Sequence, residues 1–84
     1  MLNSIEYKTG REYRIKKISS RDSLHRYHKA LVGKKVRLMY YGRVDKRGFI
    51  TCIVILLEDT IYKKSVLPAG ELLIFVGVKL EEII

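Results

Sequence analysis

Phe49 to Leu57, FITCIVILL, is a nine-residue run without a charge, and it constrains the fold more than any other stretch of the chain. It is rich in β-branched residues and apolar at both alternating sets of positions, the pattern of a central strand covered on both faces. Nine residues fall well short of the ~20 that a membrane-spanning helix needs. The chain must therefore build a sheet around this strand. Its 84 residues leave room for one core, because a chain this short buries only ~60 to 65 per cent of its unfolded surface. A single small domain over residues 1–84 is expected.

The flanking segments supply partners for that strand. Arg11 to Ile18 sets Tyr13 and Ile15 two apart among charges, as in a half-exposed first strand. Ser19-Ser20-Arg21-Asp22 then carries helix-start chemistry, either as a capping box or with Asp22 itself as the N-cap. The apolar stripe of Leu24, Tyr27 or His28, and Leu31 predicts a short helix that stops at Gly33. Lys34 to Tyr41 alternates, which sends Val36, Leu38 and Tyr40 inward and Lys35, Arg37, Met39 and Tyr41 outward. Gly42 to Gly48 is a polar hairpin loop that carries Arg43, Lys46 and Arg47. Ile61 to Val66 reads as a short strand with Lys63 and Lys64 limiting edge pairing, and Leu67-Pro68-Ala69-Gly70 as a turn. Glu71 to Leu80 closes the chain as a strand in which Gly77 marks a bulge or bend. The expected fold is mainly β: a small, strongly bent five-stranded antiparallel barrel with one short α-helix between strands 1 and 2.

From Leu24 to Ile84 the chain resembles small SH3-like or Sm-like β-barrel domains. The likeness is carried by Lys29 to Leu38 (KALVGKKVRL), the glycine-bounded hairpin and the closing Gly70-Glu71-Leu72-Leu73-Ile74. Sm-like proteins carry an Asp and an Asn after their third strand that contact RNA bases. Here Thr51 to Leu57 runs through without that pair, so the resemblance implies architecture and no base pocket. The added strand Arg11 to Ile18 suits an SH3-like barrel better.

Charge is the remaining signal, and it is lopsided. Residues 1–50 hold fourteen of the seventeen Lys and Arg against four acidic residues, a balance of +10, and the rest of the chain holds three against five, a balance of −2. One-sided basicity attracts polyanions and speeds association with acidic proteins. Alternation and the hairpin gather Lys35, Arg37, Tyr41, Arg43, Lys46 and Arg47 into one candidate nucleic-acid-binding surface, joined by Arg21, Arg26 and Lys29 if the helix packs alongside. Tyr41 is the stacking candidate, since it shares the outer face with Lys35 and Arg37.

Catalytic chemistry finds no footing. Cys52 with His25 or His28 is the one thiol and imidazole combination, and its apolar strand predicts a raised thiol pKa and little access. His25, His28 and Asp22 lack the spacing of a zinc site, and the glycines form no phosphate-cradling loop. No enzyme activity, cofactor or metal is expected. The N-terminal residues carry charges every few positions with no apolar core of a secretory signal, and the lone Cys52 suits a reducing compartment, so a cytoplasmic protein without membrane association is expected. The sequence thus points to a non-enzymatic basic domain that binds RNA or single-stranded DNA through phosphates. The alternative is a regulatory or inhibitory module of a phage or mobile element that docks an acidic protein. Self-assembly through a sheet edge is a further expectation.

Overall fold

A computed structural model describes residues 6–83. Six strands form: β1 (Glu12–Ile18), β2 (Lys35–Val44), β3 (Ile50–Leu56), β4 (Thr60–Tyr62), β5 (Ser65–Leu67) and β6 (Leu72–Glu82). A 3-10 helix, Ser23–Tyr27, runs directly into one turn of α-helix, α1 (His28–Leu31). The fold is mainly β with an antiparallel sheet, as expected, but the count of five strands is corrected to six. The extra strand arises where one was expected between Ile61 and Val66. Lys63 adopts φ +54°, which turns the chain back so that Thr60–Tyr62 pairs with Ser65–Leu67 as a separate hairpin.

The strand β3 lies between two neighbours, but only one of its faces is fully buried, so the cover expected on both faces is not found. It pairs antiparallel with β2 on one side and β6 on the other, and β1 in turn pairs with both β2 and β6, so the four strands hydrogen-bond in a cycle. Along β3 the side chains of Ile50, Cys52, Val54 and Leu56 point into the core, while Ile53 and Ile55 on the other face are half covered. Tyr13 and Ile15 of β1 are completely buried, while Glu12 and Arg14 are partly covered and Lys16 and Lys17 are exposed, so β1 is the half-exposed strand expected. One cluster contains these residues together with Tyr7, Ile18, Val36, Leu38, Phe75, Val78 and Leu80.

The helical segment seals the gap where β6 leaves β3 for β1. Asp22 is its N-cap, the Oδ1 accepting from the Leu24 N–H at 2.9 Å, which decides between the two start signals in favour of Asp22. The Oδ2 of the same carboxylate accepts from the N–H groups of Val76 and Gly77 at 2.7 and 2.9 Å. A single buried side chain therefore caps a helix and ties it to β6. Gly77 sits where the β3–β6 register shifts, and a Cβ there would lie 3.0 Å from the Ser19 Cβ. The register shift expected at Gly77 is present, and a Cβ there would press on Ser19, so the close approach favours glycine.

Candidate anion-binding surface

The hairpin between β2 and β3 is tighter than Gly42 to Gly48. β2 continues to Val44, and the turn is Asp45 to Phe49, closed by Asp45 N–H to the Phe49 carbonyl at 2.8 Å and Gly48 N–H to the Asp45 carbonyl at 3.0 Å. Gly48 takes φ +86°, a conformation other residues adopt only with strain. The Asp45 Oδ1 accepts the N–H groups of Arg47 and Phe49 at 2.8 and 2.9 Å, which fixes the turn and leaves one negative charge among its cations. Arg43, Lys46 and Arg47 stand exposed around this tip.

Register places two further lysines beside it. Ile50 at the base of the hairpin pairs with Val78, which pairs with Ile18, and the next rung along β1 and β6 sets Lys17 directly opposite Lys79. The Lys79 ammonium lies 4.9 Å from the centre of the Phe49 ring, and its chain runs along Gly48. Lys17, Lys79, Arg43, Lys46 and Arg47 thus line one rim of the sheet. Among the described residues the salt bridges are Arg37–Glu12 at 2.9 Å and Arg11–Glu82 at 3.8 Å, and neither involves this rim. Like charges directly opposed across strands repel. An anion between them would remove that cost.

The nine residues expected from sequence divide accordingly. Arg43, Lys46 and Arg47 come together. Arg21 is exposed two residues beyond Ser19, whose N–H donates to the Gly77 carbonyl at 2.9 Å, at the start of the helical segment. Arg26 and Lys29 lie further along the helical segment, which packs against β1, β4 and β6 rather than alongside the β2 surface, and Arg26 stacks on Tyr27 at 4.9 Å. Arg37 is on β2 but is paired with Glu12 at the far end of the sheet. Lys35 is half buried opposite Arg14, and its backbone N–H donates to the Glu58 carboxylate at 2.7 Å.

Tyr41 requires a correction. Between Leu38 and Tyr40 the β2–β3 register shifts by one residue, so that Leu38 faces Val54 while Tyr41 faces Cys52, both on the inner face. Alternation reverses across such a bulge. Tyr41 is half buried against the core, with its ring 5.8 Å from that of Tyr7, and Tyr40 is the exposed aromatic of the strand. Lys17, Lys79 and Phe49 were missed for a related reason. Their meeting depends on which rung of β1 faces which rung of β6, and composition carries no register; the signal present was Lys79 standing alone in an otherwise apolar strand.

Among the described residues the other chemistry-bearing side chains form no cluster. Cys52 is buried, and burial pushes its thiol up to about 12, with the Asp22 carboxylate adding to the shift. The rings of His25 and His28 lie 5.1 Å apart, and among the described residues no group of three or more His, Cys, Asp or Glu side chains converges as metal ligands would. A depression lined by Gly10, Arg11, Glu12, Glu82 and Ile83 lies at the start of β1, where the two ion pairs sit, away from the cationic rim. No helix among the described residues is long and apolar enough to cross a membrane. No protein-family model, curated protein or solved structure matches this chain.

Proposed function

We propose that this chain is a non-enzymatic domain that binds single-stranded nucleic acid, RNA or DNA, through its phosphates. The observation that carries the reading is the rim itself: Lys17 opposite Lys79, with Arg43, Lys46 and Arg47 around the adjoining turn, five cations against the Asp45 carboxylate. Phosphates spaced along a strand fit such a row of point charges, and contacts of that kind carry little sequence preference. The architecture fits the role. We read the cycle of β1, β2, β3 and β6, elaborated by the β4–β5 hairpin, as a small SH3-like barrel whose rim presents the cations.

Fluorescence anisotropy with a labelled single strand of mixed sequence at low salt tests the reading. Arg43, Lys46 and Arg47 changed together to Ala should weaken binding at least tenfold while leaving the melting temperature within a few degrees, because all three side chains are exposed. An unchanged affinity in that variant would move the site elsewhere. No binding by the wild type, together with nuclease-resistant capture of an acidic protein, would replace the nucleic acid by that partner.

A further inference from the structure

The outer face of β2, β3 and β6 is apolar where a lone domain would be polar. Cross-strand pairing sets Tyr40 beside Ile53, Ile53 beside Ile74, and Ile55 beside Leu72, with Val76 continuing the row along β6. Tyr40, Leu72, Ile74 and Val76 are 60, 55, 60 and 66 per cent exposed. The Tyr40 ring lies over Gly42, where a Cβ would be 3.8 Å from its hydroxyl, which lowers the relief of the face. The polar groups at the margins are engaged. The Thr51 hydroxyl donates to the Val76 carbonyl at 2.9 Å, and Arg37 is held by Glu12 at 2.9 Å. Exposed apolar patches of this kind mark interaction surfaces.

We infer that this face is the interface of a homodimer, two copies packing β2–β3–β6 against β2–β3–β6 about a two-fold axis. Charge and area argue for a second copy. The row of six side chains carries no ionisable group except the Tyr40 phenol. Arg37, opposite Ile55 on the same rung, has its charge paired with Glu12, so the face selects a surface without net charge, and this chain presents one that an isologous contact would match to itself. Each face exposes on the order of 500 Å² of apolar surface, and a pair would bury roughly 1,000 Å², where specific interfaces begin. Two chains of net charge +8 repel unless they meet away from their cations, and the cationic rim at the hairpin tip is a different part of the sheet. Dimerisation would also place two rims on one particle, so a longer strand could engage both.

Repulsion between the copies gives the dimer a signature opposite to that of polyanion binding. Salt screens the charges and leaves the apolar contact intact, so dimerisation should strengthen as salt rises. Sedimentation equilibrium of nuclease-treated protein should show a mass moving with concentration from 9.8 kDa toward twice that value, more readily at high salt. Ile74→Lys should hold the protein at the monomer mass with an unchanged far-ultraviolet circular dichroism spectrum. Should that variant fail to fold, Leu72→Thr with Val76→Thr keeps strand-compatible residues at exposed positions and should weaken the dimer at least tenfold. A monomer at every concentration and salt, or a dimer indifferent to these substitutions, overturns the proposal, as does occupation of the face by a different protein while the wild type stays monomeric.

Discussion

Asp22 carries more of the structure than any other polar residue. It is buried, and its carboxylate accepts the N–H groups of Leu24, Val76 and Gly77, joining the start of the helical segment to the bend in β6. Asp22→Ala leaves those donors without an acceptor in a buried site and should lower unfolding free energy by about 3 kcal/mol, read from urea denaturation. A loss under about 1 kcal/mol would mean that water replaces the carboxylate there. Cys52 makes a different prediction. Its thiol is held neutral by burial first and by Asp22 second, and burial also raises the Tyr7 phenol. Both groups bind their protons more tightly folded than unfolded; the Cys52 contribution is complete below about pH 9 and is lost as pH rises toward 12, and Tyr7 acts in the same direction at alkaline pH. The urea midpoint should fall across that window, less so in Cys52→Ala, and a thiol reagent at pH 8 should label the native protein far more slowly than the unfolded one. A midpoint that climbs with pH, or rapid native labelling, would contradict the burial of this residue.

Elements were more legible than the contacts between them. The FITCIVILL run announces a strand through its uncharged β-branched residues, and it forms β3, although only one of its faces is fully buried. Asp22 and Gly77 were legible as cap and bulge from residue type alone, although their meeting was not. Tyr41 shows where the sequence falls silent. Strict alternation sends it outward, and a one-residue register shift, which costs no hydrophobic residue and leaves no mark in composition, turns it inward against Tyr7. The β4–β5 hairpin was hidden because Lys63-Lys64 reads equally well as edge protection within one strand or as the turn between two. Register also yields a prediction at this scale. Lys79→Glu would replace the repulsion with Lys17 by attraction, so melting temperature should rise by about 2 to 4 °C while affinity for a single strand falls. Loss of stability in this variant would mean that the contact of Lys79 with the Phe49 ring outweighs its repulsion with Lys17.

At the scale of the whole molecule the two ends of the sheet differ in ion pairing among the described residues. The rim around the β2–β3 turn gathers cations from β1, the turn and β6, whereas the carboxylates of Glu12 and Glu82 are drawn into ion pairs with Arg37 and Arg11 at the start of β1. The sequence placed the basic residues in the first half of the chain, and folding adds Lys79 from the second half, so the surface is built by topology as much as by composition. A rim of this kind has a measurable identity. Affinity for a single-stranded oligonucleotide, titrated against salt for the wild type and for the variant with Arg43, Lys46 and Arg47 changed to Ala, tests it most directly. The log-log slope should be roughly −2 to −4 for the wild type, at about −0.7 per neutralised phosphate, and shallower by up to about 2 in the variant. A flat plot, or identical slopes for the two proteins, would contradict a phosphate-binding rim at the hairpin.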